Sequence, residues 1–341
     1  MRTFNKPPLT VPQQIVLLKQ RGLTILDEIR AERFLEVATL FRLSPYMRPF
    51  QNSADSEHTF LPGASLGQII DVYSFDRELR NLAMDAVERF EVAVRAAVNN
   101  HMSCSTGKAH WYLDSSWFSS RYDHARLLAE LQSKLDGERH KYSRESQRIT
   151  ESHVDEDLKD QRIEQRRRDN YFRYYGDTYD EPVLPPSWAM LEELSLGSLS
   201  RLYAGIAKDR DRKQIAHRFS LPQEVLGSWL HTLTFVRNCC AHHARLWNRE
   251  LSVRPKLPRS GQWEMPLSQS DHPSPDRRLY VVLMMLAHLM LHVSPDSLWV
   301  SRLQDLLDRY PQLSRVAMGF PEGWQNTNFW QQAFKAVEDA K

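Results

Sequence analysis

Apolar residues recur at intervals of three and four along most of this chain, and no segment shows the two-residue alternation of a half-buried strand. Val11, Ile15 and Leu18, then Ile25, Ile29, Phe34 and Val37, predict helices divided at Gly22 and ended near Pro45 and Pro49. Residues 51–64 are polar and carry Pro62-Gly63, a loop. A long helix follows, its stripe marked by Ile69, Tyr73, Leu79, Leu82, Ala86, Phe90, Ala93 and Ala97. The charges Glu78, Arg80, Asp85, Glu88, Glu91 and Arg95 are interleaved with that stripe. The Trp-Tyr-Leu and Trp-Phe segments at 111–118 predict aromatic packing around a turn. After Pro182, Pro185 and Pro186, Ser187 to Ile206 reads as helix with a break near Gly197. Ser220-Leu221-Pro222 reads as the start of another helix, with Ser220 as N-cap and proline in the first turn. Pro255, Pro258, Pro266, Pro273 and Pro275 mark a loop, and further helices are expected at 277–293 and 296–309. No internal repeat is visible.

The pattern predicts an all-α fold, a helical bundle with extra N- and C-terminal helices. Its expected organisation is an N-terminal helical region over 1–64, a helical core over 65–300 and a C-terminal helical extension over 301–341 that packs on the core. Residues 136–175 interrupt the core. Between Arg139 and Arg173 stand ten Lys/Arg and eight Asp/Glu with few large apolar residues, too few to bury a core there. The segment is either a charged helical arm or a partly disordered insertion. Its end, Arg166-Arg167-Arg168-Asp-Asn-Tyr171-Phe172-Arg173-Tyr174-Tyr175, mixes cations with rings. That mixture suits single-stranded RNA, where bases stack and guanidinium groups pair with phosphates; it equally suits a solvated charged helix.

Composition narrows the field. The chain has 341 residues, 41% hydrophobic and 26% charged, enough to bury a core. Twelve glycines against eighteen prolines disfavour a turn-rich β architecture. A net charge of +2 means that any nucleic-acid site must come from local clustering. Three cysteines, two of them adjacent, make no disulfide framework. The N-terminal residues lack the apolar core of a signal peptide. The longest apolar run, Leu279 to Val293, contains His288 and His292 and is shorter than the ~20 residues a bilayer requires. No membrane association is expected, and the expected location is the cytoplasm, with reduced thiols.

The candidate chemistry lies at 235–250, Phe-Val-Arg-Asn-Cys-Cys-Ala-His-His-Ala-Arg-Leu-Trp-Asn-Arg-Glu. Arg237 and His242 stand five residues apart in an amphipathic helical pattern. A proton-transfer group beside a permanent cation suits phosphodiester cleavage. General acid/base work falls to His242, since an unperturbed imidazole near pKa ~6.5 reaches both protonation states. Without a metal, RNA cleavage would use the ribose 2′-OH as nucleophile, with Arg237 stabilising charge on the phosphate. At about 100° per residue, Asn238, His242, Arg245 and Arg249 share one narrow stripe. Leu226, Trp229, Leu233, Val236, Cys240, Trp247 and Leu251 then face the core. Arg237 and His242 come out roughly 140° apart by the same geometry. A flexible arginine stem, a distorted helix or a second copy of the chain would each reconcile them. From Arg237 to Arg259 there are six cations (Arg237, Arg245, Arg249, Arg254, Lys256, Arg259) against Glu250 alone, the clearest positive region and a candidate phosphate-binding surface. An Arg/His/Asn stripe is also what a solvated face looks like.

Other chemistries are weaker here. Cys239 with His242 and Cys240 with His243 are three residues apart, but no second Cys/His pair completes a zinc site. Cys104 and Cys239 lack a partner arrangement for nucleophilic catalysis. No glycine-rich phosphate loop is present, so a nucleotide-hydrolysing or dinucleotide enzyme is not expected. His288 and His292 read as core histidines. No metal and no cofactor is expected.

The wording Arg-Asn-x-x-Ala-His-His-x-Arg-Leu-Trp-Asn-Arg resembles the signature of the abortive-infection (Abi) proteins of the AbiD/AbiF type, in the HEPN superfamily. Further matching blocks lie in order along the chain: Lys6-Pro7-Pro8-Leu9-Thr10, Phe41-Arg42-Leu43-Ser44-Pro45-Tyr46 and Tyr73-Ser74-Phe75-Asp76-Arg77-Glu78-Leu79-Arg80. Val87 to Arg95, Leu184 to Trp188, Leu194 to Ser200 and Met318 to Trp324 continue the series. The resemblance implies an all-helical HEPN core and metal-independent RNA cleavage by Arg237 and His242, with Asn238 as polar neighbour. It also implies a site assembled from two copies of the motif, so a homo-oligomer, most simply a dimer through the motif helix. It implies a phage-defence toxin held by a small noncoding RNA antitoxin, acting on cellular or phage RNA. The expected RNA-binding residues are Arg245, Arg249, Arg254, Lys256 and Arg166, Arg167 and Arg168. Two rival readings stand beside it: an RNA-binding module without turnover, and a helical interaction domain whose stripe is an oligomer seam.

Overall fold

The computed structural model describes residues 3, 7–259, 263 and 274–339. Among these, fourteen α-helices and no β-strand are found, apart from three isolated bridges, so the fold is all-α. Pro266 and Pro273 of the expected loop, and Lys6, lie outside the described residues.

The organising element is α4 (Leu66–Thr106), 41 residues and therefore about 60 Å long. Ser65 opens it with a capping box to Gln68, and Gly107 in the left-handed conformation (φ 65°) closes it. Its apolar stripe is buried at Ile69, Leu79, Leu82, Ala86 and Phe90, as the spacing predicts. The long stripe is covered in succession by elements far away in sequence. These are α3 (Leu40–Met47), α8 (Ser187–Glu193), α10 (Asp209–His217), α11 (Gln223–Ala241), α12 (Leu279–Val293) and α13 (Trp299–Arg309). In α12 eleven of the fifteen residues are buried, so it is a core helix of the bundle. No helix among the described residues is long and apolar enough to cross a membrane. The C-terminal α14 (Asn328–Asp339) rests on α12 and α13.

At the N-terminus, α1 (Val11–Gln20) and α2 (Glu28–Val37) precede α3. Pro45 sits inside α3 rather than ending it. The spacing misjudged two residues of α2: Ile29 and Val37 are exposed, and the buried pair is Ala31 and Leu35. Their neighbours decide this, because α2 packs mainly on α1 and offers it only one narrow face. The charged insertion is mostly helical, lying on α5 (His124–Thr150), α6 (Glu156–Arg168) and α7 (Tyr171–Thr178), with the three packed on one another. α6 buries none of its residues. The break expected near Gly197 falls at 194–195, so that α9 (Leu196–Gly205) includes Gly197.

Candidate active site at the end of the motif helix

Helix α11 differs from its sequence reading at both ends. It starts at Gln223 after Pro222; Ser220 has φ 52° and caps nothing. At the other end it stops at Ala241, with His242 as C-cap. The stop is made by the backbone. The His243 N–H donates to the Cys240 carbonyl (3.0 Å) and the Ala244 N–H to the Cys239 carbonyl (2.8 Å), with His243 left-handed at φ 54°. This is a Schellman closure with histidine where glycine is usual. The shared helical stripe of Asn238, His242, Arg245 and Arg249 is therefore corrected: the last two lie in the turn beyond the helix. The core face was read correctly, since Leu226, Trp229, Leu233, Val236, Cys240, Trp247 and Leu251 are all buried.

A buried polar cluster holds this turn. Asp76 of α4 is fully buried and accepts from the backbone N–H groups of Leu246 (3.0 Å) and Trp247 (2.6 Å). It also accepts from the Tyr46 hydroxyl of α3 and from the Arg80 guanidinium one turn along α4. Burial raises the Asp76 carboxyl, while Arg80, the Tyr46 hydroxyl and the two backbone donors pull it down. Burial, then the neighbouring carboxylate, pushes the Tyr46 phenol far above its ordinary value, so it stays a donor. Two arginines add clasps. Arg42 Nη2 donates to the His243 carbonyl (2.7 Å), and Arg245 Nη1 donates to the Pro45 carbonyl (3.2 Å). Burial holds Arg245 below the usual guanidinium range.

What this frame presents is uncommitted. The side chains of Arg237, Asn238 and His242 make no hydrogen bond or ion pair among the described residues; His242 and Asn238 are exposed and Arg237 is half-buried. Arg249 lies over the Phe235 ring at 5.1 Å. The neighbouring thiols are unsuited to chemistry: Cys239 and Cys240 are buried, and burial pushes Cys240 up to about 12. Among the described residues, no group of three or more His, Cys, Asp or Glu is placed to hold a metal ion.

A family model described as Abi-like protein matches residues 33–248, well over half of the chain. The chain belongs to the Abi-like family. The matched span runs from α2 to the end of the motif turn, and so contains both the Asp76 cluster and the Arg237–His242 segment. No curated protein and no solved structure matches the chain.

The remaining expected site residues of this Abi-like protein are dispersed. Arg254 forms an ion pair with Asp276. The Lys256 backbone is anchored at the other end of α11, its N–H donating to Ser228 Oγ (2.8 Å) and its carbonyl accepting from Trp229 Nε1 (2.7 Å). By helical rise that anchor stands about 20 Å from His242. Arg166, Arg167 and Arg168 lie on α6 and are engaged by Asp169 (3.1 Å), Glu164 (2.7 Å) and Glu164 again (2.5 Å). Arg167 also lies over the Tyr174 ring at 5.5 Å. His288 packs between Trp229 and Trp263, its Nε2 donating to the Phe219 carbonyl at 2.9 Å, while His292 is exposed rather than a core residue.

Sequence reasoning passed over Asp76, Arg80 and Tyr46 as site residues. A signal was present. Asp76 and Arg80 fall on the same three–four rhythm as Ile69, Tyr73, Ala83 and Val87, where a charge is out of place unless it is partnered inside.

Proposed function

We propose that this protein is a metal-independent endoribonuclease of the HEPN type, the toxin of a phage-defence toxin–antitoxin system, held in check in the cytoplasm by a small noncoding RNA. The observation that carries the reading is the pairing of an anchored backbone with unengaged side chains. A buried carboxylate, costly to place, fixes the turn that follows His242, while Arg237, Asn238 and His242 keep their polar atoms free. Catalytic groups held by a rigid support and lacking internal partners are what a bound phosphate requires.

In the proposed reaction His242 removes the proton of a ribose 2′-OH, whose oxygen attacks the adjacent phosphorus. The bond from phosphorus to the 5′-oxygen breaks, that oxygen takes up a proton, and a 2′,3′-cyclic phosphate remains. Arg237 neutralises the charge gathering on the phosphate oxygens, and Asn238 donates to one of them. The two groups diverge by about 140° on an ideal helix, so a second copy, docked through the motif end of α11, completes the site.

The test is cleavage of single-stranded RNA in excess EDTA. The wild type is expected to leave 2′,3′-cyclic phosphate ends, and His242→Ala to lose at least about 100-fold in rate with its thermal melt unchanged. Copurifying RNA, sequenced from cells carrying the native locus, is expected to contain one abundant small species. The divergence of Arg237 and His242 favours a second reading, an RNA-binding module without turnover. Under it the wild type cuts nothing and His242→Ala only weakens binding.

A further inference from the structure

Helices α1 and α3, with the loop at 51–60, enclose a cavity of about 790 Å³. That lies inside the ~300–1,000 Å³ range of small-molecule sites. Leu17, Leu18 and Met47 form part of its floor, and Arg21, Arg48 and His58 stand around it. Among the described residues, no carboxylate lines it. Neither Arg21 nor Arg48 has an ion-pair partner among the described residues. On the rim, the Phe41 ring is 87% exposed. Beside these unpaired cations, the ring offers a flat apolar face to a ligand that carries a ring and a negative charge.

The cavity is coupled to the motif turn through α3. Arg42 and the Pro45 carbonyl contact the turn, and Tyr46 reaches Asp76, whereas Phe41, Ser44 and Arg48 line the cavity. We infer that this cleft binds an unpaired nucleotide, its base stacked on Phe41 and its phosphate met by Arg21 and Arg48. Gln51 in the lining supplies hydrogen-bonding groups for a base edge. The inference rests on the reading of the chain as a protein that acts on RNA. It makes single-stranded RNA, crossing α3 next to the motif turn, the ligand of choice.

The experiment is equilibrium binding of a short fluorescein-labelled single-stranded RNA, performed in the His242→Ala background so that the probe is not cut. Phe41→Ala is expected to weaken binding by about tenfold. Arg21→Ala with Arg48→Ala is expected to lower the slope of log K against log salt by about 0.7, the value for one phosphate on a single strand. A duplex of the same length should not respond to Phe41→Ala. Displacement of the probe by a nucleoside monophosphate would assign the cleft to a free nucleotide as well as one within a strand; affinity loss without displacement assigns it to the strand alone. Wild-type affinity and slope in both variants would overturn the inference. The two readings fail separately. If the His242-intact protein cuts nothing yet Phe41→Ala still loses affinity, the nuclease reading falls and the cleft stands. If it cuts and the cleft variants bind and cut normally, only the cleft falls. Phe41 and Arg48 are exposed, so unaltered thermal melts should accompany these changes.

Discussion

The Asp76–Arg80 pair beneath the motif turn and the Arg166–Arg168 cluster on α6 use the same chemistry in opposite surroundings. The first is inside, with Asp76 at 0% and Arg80 at 5% exposure. The second is on a helix that buries nothing. In water the α6 pairs are screened, exchange partners freely and add little. Inside, the same two charges cannot find water, so each depends on the other and on Tyr46, Leu246 and Trp247. The contrast teaches that burial, more than the number of ion pairs, makes a charge structurally binding. In this protein the binding charge positions the motif turn, and the numerous surface charges do not.

Asp76→Ala is the strongest way to break the contrast. It strands Arg80 and two backbone donors, and urea denaturation should show a loss of about 3–5 kcal/mol. Replacing both partners, Asp76→Leu with Arg80→Met, should recover part of that stability but not RNA cleavage, because Leu246 and Trp247 lose their acceptor. Full recovery of cleavage would remove the positioning role. A second lever is pH. Burial, chiefly, lowers His288 from 6.5 to about 4, so the folded protein binds this proton less readily than the unfolded chain. Its contribution is complete above pH 6.5 and is lost as pH falls towards 4, up to about 3 kcal/mol. Urea midpoints between pH 7 and 4.5 should fall less steeply in His288→Gln; equal slopes would assign the acid sensitivity to carboxylates instead. Tyr46→Phe removes one donor from the buried carboxylate and should cost about 1.5–3 kcal/mol by the same denaturation assay. At the small end, Glu164→Gln on α6 should leave the melting temperature where it was, in low salt and in high; a clear drop would mean that the α6 charges carry more than their exposure implies.

The helices were legible because their signals are local. Three–four spacing marks the stripe of α4, and the Pro62-Gly63 loop its start. What eluded the sequence is non-local. Residues 241–247, Ala-His-His-Ala-Arg-Leu-Trp, contain neither glycine nor proline, so no residue type marks the end of α11. The helix closes at His243 through its own backbone, and Asp76, some 170 positions earlier, holds the turn beyond by capturing the amides of Leu246 and Trp247. For the same reason the Arg237–His242 segment stood out while its support was missed: an arginine and a histidine draw attention by residue type, whereas Asp76 and Arg80 look like two more charges on a helix. Lys256 shows the converse: it is close to the motif in sequence, but the chain runs back along α11 and anchors it away from His242.

The great length of α4 also bears on how the chain is made. Its 41 residues are complete by Thr106, but α11, α12 and α13, which cover much of its stripe, end at Ala241, Val293 and Arg309. At roughly 5–20 residues per second on the ribosome, an uncovered apolar rod waits roughly ten to forty seconds for its last partners. Asp76 waits alongside it, because its acceptor role at Leu246 and Trp247 begins only once those residues have been synthesised. A nascent chain therefore carries the scaffold long before the motif, and the motif turn takes shape late in synthesis.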